Sequence, residues 1–143
     1  MELRIDRLGG RGDGIADGAE GAVYVPLAAP GDVVEAKIVG RRGDASLARI
    51  DLILEAGPHR RAPDCPHFGA CGGCALQHLE ARFYGRWKSD RVATALAQHG
   101  LDPDIAPLVS VPPGTRRRVR VAFRRTAGGT VLGFREAAGK RIV

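Results

Sequence analysis

Three cysteines placed close together constrain this chain more than any other feature of its sequence. They are the only cysteines present, at Cys65, Cys71 and Cys74, and Gly72 and Gly73 separate the last two. Such a run suits a metal ion or an iron-sulfur cluster, because several thiolates must converge on one centre while the backbone wraps closely around it. Glycine permits this wrap, since without a Cβ atom it can take positive φ and bring its N–H group near a sulfur. The motif therefore predicts a cysteine-ligated centre.

Two other interpretations of the cysteines are small core residues, or one disulfide with a spare thiol. The chain opens on residues 1–6 with no apolar signal segment, which indicates a reducing cytosol where disulfides are disfavoured. No stretch approaches the ~18 consecutive apolar residues that span a bilayer. We therefore expect a cytoplasmic protein, monomeric and without membrane association.

The identity of the centre stays open on chemistry alone. Three cysteines leave one ligand of a four-cysteine iron-sulfur cluster to be supplied from elsewhere. Zinc needs no such addition if His78 completes a Cys3His set, with one helical turn between Cys74 and His78. A third interpretation makes His78 an ordinary residue on a helix surface.

The charge distribution favours two domains. Residues 1–63 carry nine basic and ten acidic residues, whereas residues 64–143 carry thirteen and six. The two parts therefore face different partners. We place the boundary between residues 1–57 and residues 58–143.

The first part is expected to form a small β-barrel. Short runs with strand character recur between turn-forming segments: Leu3 to Arg7, Ala22 to Val25, Val33 to Val39 and Leu47 to Leu54. In the third run, Val34, Ala36 and Ile38 alternate with Glu35 and Lys37, which predicts a half-buried strand. The glycine-rich segment 9–14 lacks the Lys-Ser/Thr ending of a phosphate-binding loop, and no helical pattern follows it, so it is predicted to connect two strands. Barrels of this size also bind nucleic acids. The candidate contacts, which are equally consistent with a solvated surface, are Arg7, Arg11, Arg41 and Arg42.

A helical pattern is expected after Cys74, with Leu76, Leu79 and Phe83 on one face. Gly85 interrupts the pattern and predicts a kink or a split there. Gly100 is predicted to stop the helix, because glycine takes the left-handed conformation that ends helices.

A basic segment closes the chain. Between Arg116 and Arg141 there are nine basic residues and one acid, Glu136. From Arg118 to Arg124, arginines alternate with Val119, Val121 and Phe123, which predicts a strand with arginines on one face and apolar side chains toward the core. Gly128-Gly129 predicts a hairpin turn after it. Charge runs are often only solvated, but nine bases with almost no counter-charge favour a nucleic acid partner. The candidate contacts are Arg116, Arg117, Arg118, Arg120, Arg124 and Arg125.

With these motifs in place, the chain resembles the amino-terminal part of the TRAM-containing RNA uracil-5 methyltransferases that act on 23S ribosomal RNA or transfer RNA. Segments 12–16, 23–26 and 30–34 look like a TRAM domain, and the cysteine run with Gln77 and His78 is similar to the family's cluster motif. Segment 132–135 resembles a strand of the family's central domain.

The resemblance implies a mixed fold, in which a small all-β, OB-like TRAM barrel precedes the start of an α+β iron-sulfur-binding domain. It implies that Cys65, Cys71 and Cys74 hold a [4Fe-4S] cluster whose fourth cysteine lies beyond Val143. It also implies that the S-adenosylmethionine site and the catalytic cysteine belong to a further domain, so that these 143 residues are inactive alone. The alternative is a self-contained zinc-stabilised module that binds nucleic acid.

Overall fold

The structure, a computed structural model, describes all 143 residues and divides into two compact units. The first unit comprises residues 1–63 and 76–84, and the second comprises residues 64–75 and 85–143. These units differ from the ranges taken from the sequence, since residues 58–63 and 76–84 pack with the first unit. No helix is long and apolar enough to cross a membrane.

The first unit is built on a six-stranded sheet. Its strands are β1 (Glu2–Arg4), β2 (Arg7–Leu8), β3 (Gly14–Gly18), β4 (Gly21–Val25), β5 (Val33–Arg42) and β6 (Ala45–Glu55). They lie in the order β1-β5-β6-β4-β3-β2, with β4 and β6 parallel and the other neighbours antiparallel. The all-β first part is therefore confirmed, and the glycine-rich segment does connect two strands.

One short segment gives this sheet its barrel-like character. β1 and β2 stand at opposite ends of the strand order, yet they follow each other directly in the chain. Between them, the Ile5 amide donates to the Asp32 carbonyl at 2.9 Å, and the Asp6 amide donates to the Ile15 carbonyl at 2.9 Å. The segment thus bonds to the residue before β5 on one side and to β3 on the other, although β1 and β2 do not pair with each other.

The core of the first unit is made of small aliphatic side chains. Along β5, Val34 and Ala36 are buried while Glu35 and Lys37 are exposed, as alternation predicted. Ile38 continues the alternation but is exposed, because the strand runs past the core there and its pairing shifts register between Ile38 and Gly40. The cluster consists of Leu3, Ile5, Ala16, Val23, Val25, Ala28, Val34, Ala36 and Ala48.

A single helix, α1 (Ala81–Ala97), follows the cysteine region. It begins later than expected, so Leu76 and Leu79 precede it, and Gly85 neither kinks nor splits it. Its end is as predicted. Gly100 has φ of +71°, its amide donates to the Ala97 carbonyl at 2.9 Å, and the next amide donates to the Leu96 carbonyl at 3.1 Å. This pair of bonds is the Schellman motif.

The second unit contains an antiparallel hairpin of β7 (Ala122–Thr126) and β8 (Gly129–Gly133). The turn is where the sequence predicted it. The expected strand over residues 118–124 is wrong in its extent, because β8 pairs only with residues 122–126 and the residues before them have no partner strand. Val119, Val121 and Phe123 do not face a core either, and Phe123 is 73% exposed. No residue of the second unit is buried.

Candidate nucleic-acid interface and cysteine motif

The cysteine segment is a series of tight turns fixed to a later part of the chain. The Phe68 amide donates to the Cys65 carbonyl at 3.1 Å, and the Cys71 amide donates to the His67 carbonyl at 2.9 Å. Cys71 forms an isolated bridge with Glu136, and the Gly72 amide donates to the Arg135 carbonyl at 2.8 Å. Residues 70–72 are therefore held antiparallel to residues 135–137.

Both glycines of the motif lie close to other parts of the chain, and the space for a side chain is tightest at Gly72. A Cβ atom on Gly72 would lie 3.1 Å from the Arg135 carbonyl oxygen, and one on Gly73 would lie 3.4 Å from Cys71 Sγ. The Gly73 amide also lies 3.4 Å from the same sulfur, as a donor to it. Neither glycine takes the positive φ that the sequence suggested. Their role here is close approach of the backbone and, for Gly73, donation to the sulfur of Cys71.

The structure places Cys65 and Cys71 half-buried and Cys74 exposed. Nowhere in the 143 residues are three or more Cys, His, Asp or Glu side chains arranged to hold one metal ion. The surroundings of Cys71 thus fit a thiolate ligand, whereas the convergence of three cysteines on one centre stays a prediction.

His78 is a buried residue of the first unit. Its side chain is fully buried, with Nε2 at 3.3 Å from the Ala28 carbonyl oxygen. Burial lowers the pKa of His78 below its ordinary value of 6.5. The helical turn expected between Cys74 and His78 is absent, because α1 begins only at Ala81. These contacts describe a core histidine and do not favour the zinc alternative.

A buried ion pair that the sequence did not reveal fixes the neighbouring loops. The Asp32 carboxylate is fully buried and accepts hydrogen bonds from the amides of Ala29 at 2.6 Å and Gly57 at 2.8 Å. Arg60 Nη2 contacts it at 2.6 Å and also donates to the Leu27 carbonyl at 2.7 Å. Burial acts to raise the pKa of Asp32, but these hydrogen bonds and the Arg60 charge outweigh it and hold the pKa below 3.8. Nothing in the sequence around Asp32 signalled the pair, because Arg60 lies 28 residues away along the chain.

Of the four arginines predicted as contacts in the first unit, three have partners within the protein. Arg7 lies 3.5 Å from the Asp17 carboxylate, and Arg41 donates to the Asp44 carbonyl at 2.9 Å. Arg42 pairs with Asp13 and lies 5.2 Å from the centroid of the Tyr24 ring. Arg11 is exposed and forms no ion pair.

The predicted contacts of the second unit differ from these in having no counter-charge. All six are exposed, and none forms an ion pair. Glu136, the one acidic residue of the basic segment, forms an ion pair with Arg141 at 3.0 Å. Only Arg124 and Arg125 lie on β7, so Arg118 and Arg120 do not share a strand face with Arg124 as expected. The set is an unneutralised basic surface rather than an ordered row.

Comparison with known proteins places these features in a family. No protein-family model matches the sequence. A protein of Caulobacter vibrioides named as an uncharacterized RNA methyltransferase is 42% identical over 146 residues, which cover 100% of this chain and 34% of that protein. The 23S rRNA (uracil(1939)-C(5))-methyltransferase RlmD of Alkalilimnicola ehrlichii is 39% identical, over 95% of this chain and 32% of that protein. This chain belongs to the RNA methyltransferase family.

The resemblance drawn from the motifs is thereby confirmed at the level of the family. The chain spans about a third of the length of these RNA methyltransferases. Among solved structures, it is similar to the Pyrococcus abyssi tRNA (uracil-54, C5)-methyltransferase in complex with S-adenosyl-L-homocysteine. That match has 25% identity and a TM-score of 0.49, and covers 75% of this chain and 23% of the other.

Proposed function

We propose that this chain is the RNA-recognition and [4Fe-4S]-binding amino-terminal part of an S-adenosylmethionine-dependent RNA uracil-5 methyltransferase. The proposal is supported by similarity to RNA methyltransferases over nearly the whole of this chain, one of them named for a 23S rRNA uracil. In the complete protein, the reaction would transfer a methyl group to C5 of a uridine through a covalent cysteine adduct. The three cysteines here are assigned to the cluster, so the attacking cysteine lies in another domain.

RNA binding is assigned first to the basic surface of the second unit. Six exposed arginines without ion-pair partners repel one another, and RNA phosphates relieve that repulsion. The arginines in turn displace counterions condensed on the RNA, which favours binding. The test replaces Arg118, Arg120 and Arg124 with Gln in the full 143-residue chain. We expect weaker binding of a labelled 23S rRNA stem-loop, with each lost phosphate contact lowering the log-log salt slope by roughly 0.7 to 0.9.

The matched control is Arg49→Gln, which removes an exposed arginine whose partner is Asp51 at 2.9 Å. It should leave both affinity and salt slope unchanged. Unchanged binding in the triple variant would instead show that the arginines are only solvated.

The cluster is assigned to Cys65, Cys71 and Cys74, supported by the Gly73 amide at Cys71 Sγ and by the close approach of the Gly72 backbone to the Arg135 carbonyl. Anaerobic reconstitution with iron and sulfide should give a brown protein with bound sulfide, and Cys71→Ser should abolish it. Stoichiometric zinc uptake without sulfide would support the zinc module instead, and loss of zinc in His78→Gln would place His78 in that site.

Catalysis is assigned to the part of the family protein that these residues do not cover. We expect no methyl transfer by residues 1–143, and no S-adenosylmethionine binding in titration calorimetry. Saturable binding of the cofactor would contradict this assignment.

A further inference from the structure

A cavity in the first unit lies between a glycine-rich loop and one face of the sheet. Its volume is about 280 Å³. Its walls come from the loop between β2 and β3, from β4, and from the end of β5. The lining residues are Gly9, Gly10, Arg11, Asp13, Tyr24 and Arg42.

The floor of this cavity is an aromatic ring with a guanidinium group over it. Tyr24 lies on β4 between Ile15 of β3 and Leu47 of β6, so its backbone is fixed on both sides. Arg42 lies 5.2 Å from the ring centroid and is held there by the Asp13 carboxylate. Tyrosine rings and arginine guanidinium planes are the surfaces on which unpaired RNA bases stack.

The loop supplies charge and shape beside this stack. The Gly9 amide donates to the Asp13 carbonyl at 2.8 Å, and the Gly12 amide donates to the Gly9 carbonyl at 2.9 Å, so the loop is closed on itself. Gly12 has φ of +88°, which favours glycine at this turn. Arg11 extends from the closed loop, exposed and without an ion pair. Since Arg42 neutralises Asp13, Arg11 leaves the cavity with a net positive charge.

The size of the cavity limits its occupant. Pockets for drug-sized ligands and cofactors measure about 300 to 1,000 Å³, and this cavity falls just below that range. It suits one base with its sugar and not a dinucleotide or an extended cofactor.

We propose that this cavity binds one unpaired nucleotide of the RNA, with the base on the Arg42–Tyr24 stack and the phosphate on Arg11. The inference rests on the proposed function as an RNA-binding chain. It assigns a base-binding role to Tyr24, and it makes Arg42 a stacking surface rather than a phosphate contact.

The test measures binding of fluorescein-labelled decauridylate and of inorganic polyphosphate to the full 143-residue chain. Polyphosphate has the charge of RNA but no bases, so it separates stacking from charge. We expect Tyr24→Leu to weaken decauridylate binding by about 5-fold or more, the lower end of the effect of losing one stacked base. Polyphosphate binding should not change, and Tyr24→Phe should bind decauridylate as the wild type does.

A second pair of variants serves if Tyr24→Leu does not fold. Arg42→Lys keeps the charge but removes the planar group, so it should weaken decauridylate binding and leave polyphosphate binding intact. Arg11→Gln should weaken both ligands. The control is again Arg49→Gln, which removes an ion-paired arginine that does not line the cavity.

Each result is decisive. If the wild type binds decauridylate and neither Tyr24→Leu nor Arg42→Lys weakens that binding, the nucleotide-binding role of the cavity is wrong, but the proposed function stands. Failure of the wild type to bind any RNA overturns both. Competition by micromolar uridine monophosphate would make the cavity a free-nucleotide site and would also overturn the proposal.

Discussion

Replacing Arg60 with methionine would leave a fully buried carboxylate without its counter-charge. The Asp32 side chain is 0% exposed and that of Arg60 is 14% exposed, so water cannot take over the role of the guanidinium. Arg60 contacts the carboxylate through Nε at 2.9 and 3.0 Å and through Nη2 at 2.6 Å. The variant keeps only the two backbone donors, Ala29 and Gly57, on Asp32.

The expected loss of stability is large for a unit of this size. Breaking a buried ion pair from one side costs about 3 to 5 kcal/mol, because the remaining charge stays buried and uncompensated. Small domains are stabilised by only about 5 to 15 kcal/mol in total. Urea unfolding followed by far-ultraviolet circular dichroism at pH 7 should therefore show a strongly lowered midpoint, or no folded baseline for the β-sheet.

Two further variants test the reasoning. Arg49→Met breaks an exposed pair with Asp51 and should cost no more than about 1 kcal/mol. Asp32→Asn combined with Arg60→Met should recover part of the loss, because the group left behind is neutral. If Arg60→Met costs as little as Arg49→Met, or if adding Asp32→Asn recovers nothing, the buried charge is not what makes Arg60 necessary.

Three other predictions follow from the first unit and the helix. The pKa of His78 in the folded protein lies below 6.5, so the unfolded chain binds a proton first as the pH falls. The free energy of unfolding should therefore decrease below pH 6.5, by at most about 1.4 kcal/mol per pH unit. The urea midpoints of the His78→Gln variant should lack this pH dependence. Gly57→Ala should lower the free energy of unfolding by about 1 to 3 kcal/mol, because the new Cβ would meet the Pro30 carbonyl and lie 2.7 Å from the Asp32 amide nitrogen. At Gly40 a Cβ would meet nothing within 4 Å, so urea unfolding of Gly40→Ala should show a smaller loss. Gly100→Ala should lower helix content seen by circular dichroism and cost about 1 kcal/mol, since φ is +71° there; an unchanged spectrum would contradict this.

The elements that the sequence predicted are those fixed by local chemistry. Alternation along β5, the turn before β8 and the glycine stop at Gly100 each depend on residues a few positions apart. The strand over residues 118–124 failed because alternation alone does not supply a partner, and β8 reaches only residues 122–126. The predicted start of the helix was wrong because Leu79 packs into the core of the first unit before α1 begins.

The candidate site divides in the same way. The cysteines and the basic residues are visible in the sequence as composition, so both could be named as candidates, and their roles stay predictions. The Asp32–Arg60 pair joins positions 28 residues apart, and the Arg42–Asp13 pair joins positions 29 apart. Nothing in either local segment signals these contacts, because sheet topology alone brings their members together. Tyr24 was missed for the same reason: only the folded sheet brings Arg42 over its ring.

The arrangement of the first residues also determines how the sheet resists aggregation. Every open sheet ends in two rows of unpaired amide and carbonyl groups, on which other chains can add strands. Here those rows belong to β1 and β2, which have three and two residues and are the shortest strands of the sheet. The long strands β5 and β6 lie inside the strand order, and neither is an edge strand. Any damage to residues 2–8 would therefore uncover two longer strands, β5 and β3, at once, and turn a protected sheet into a template with two open edges.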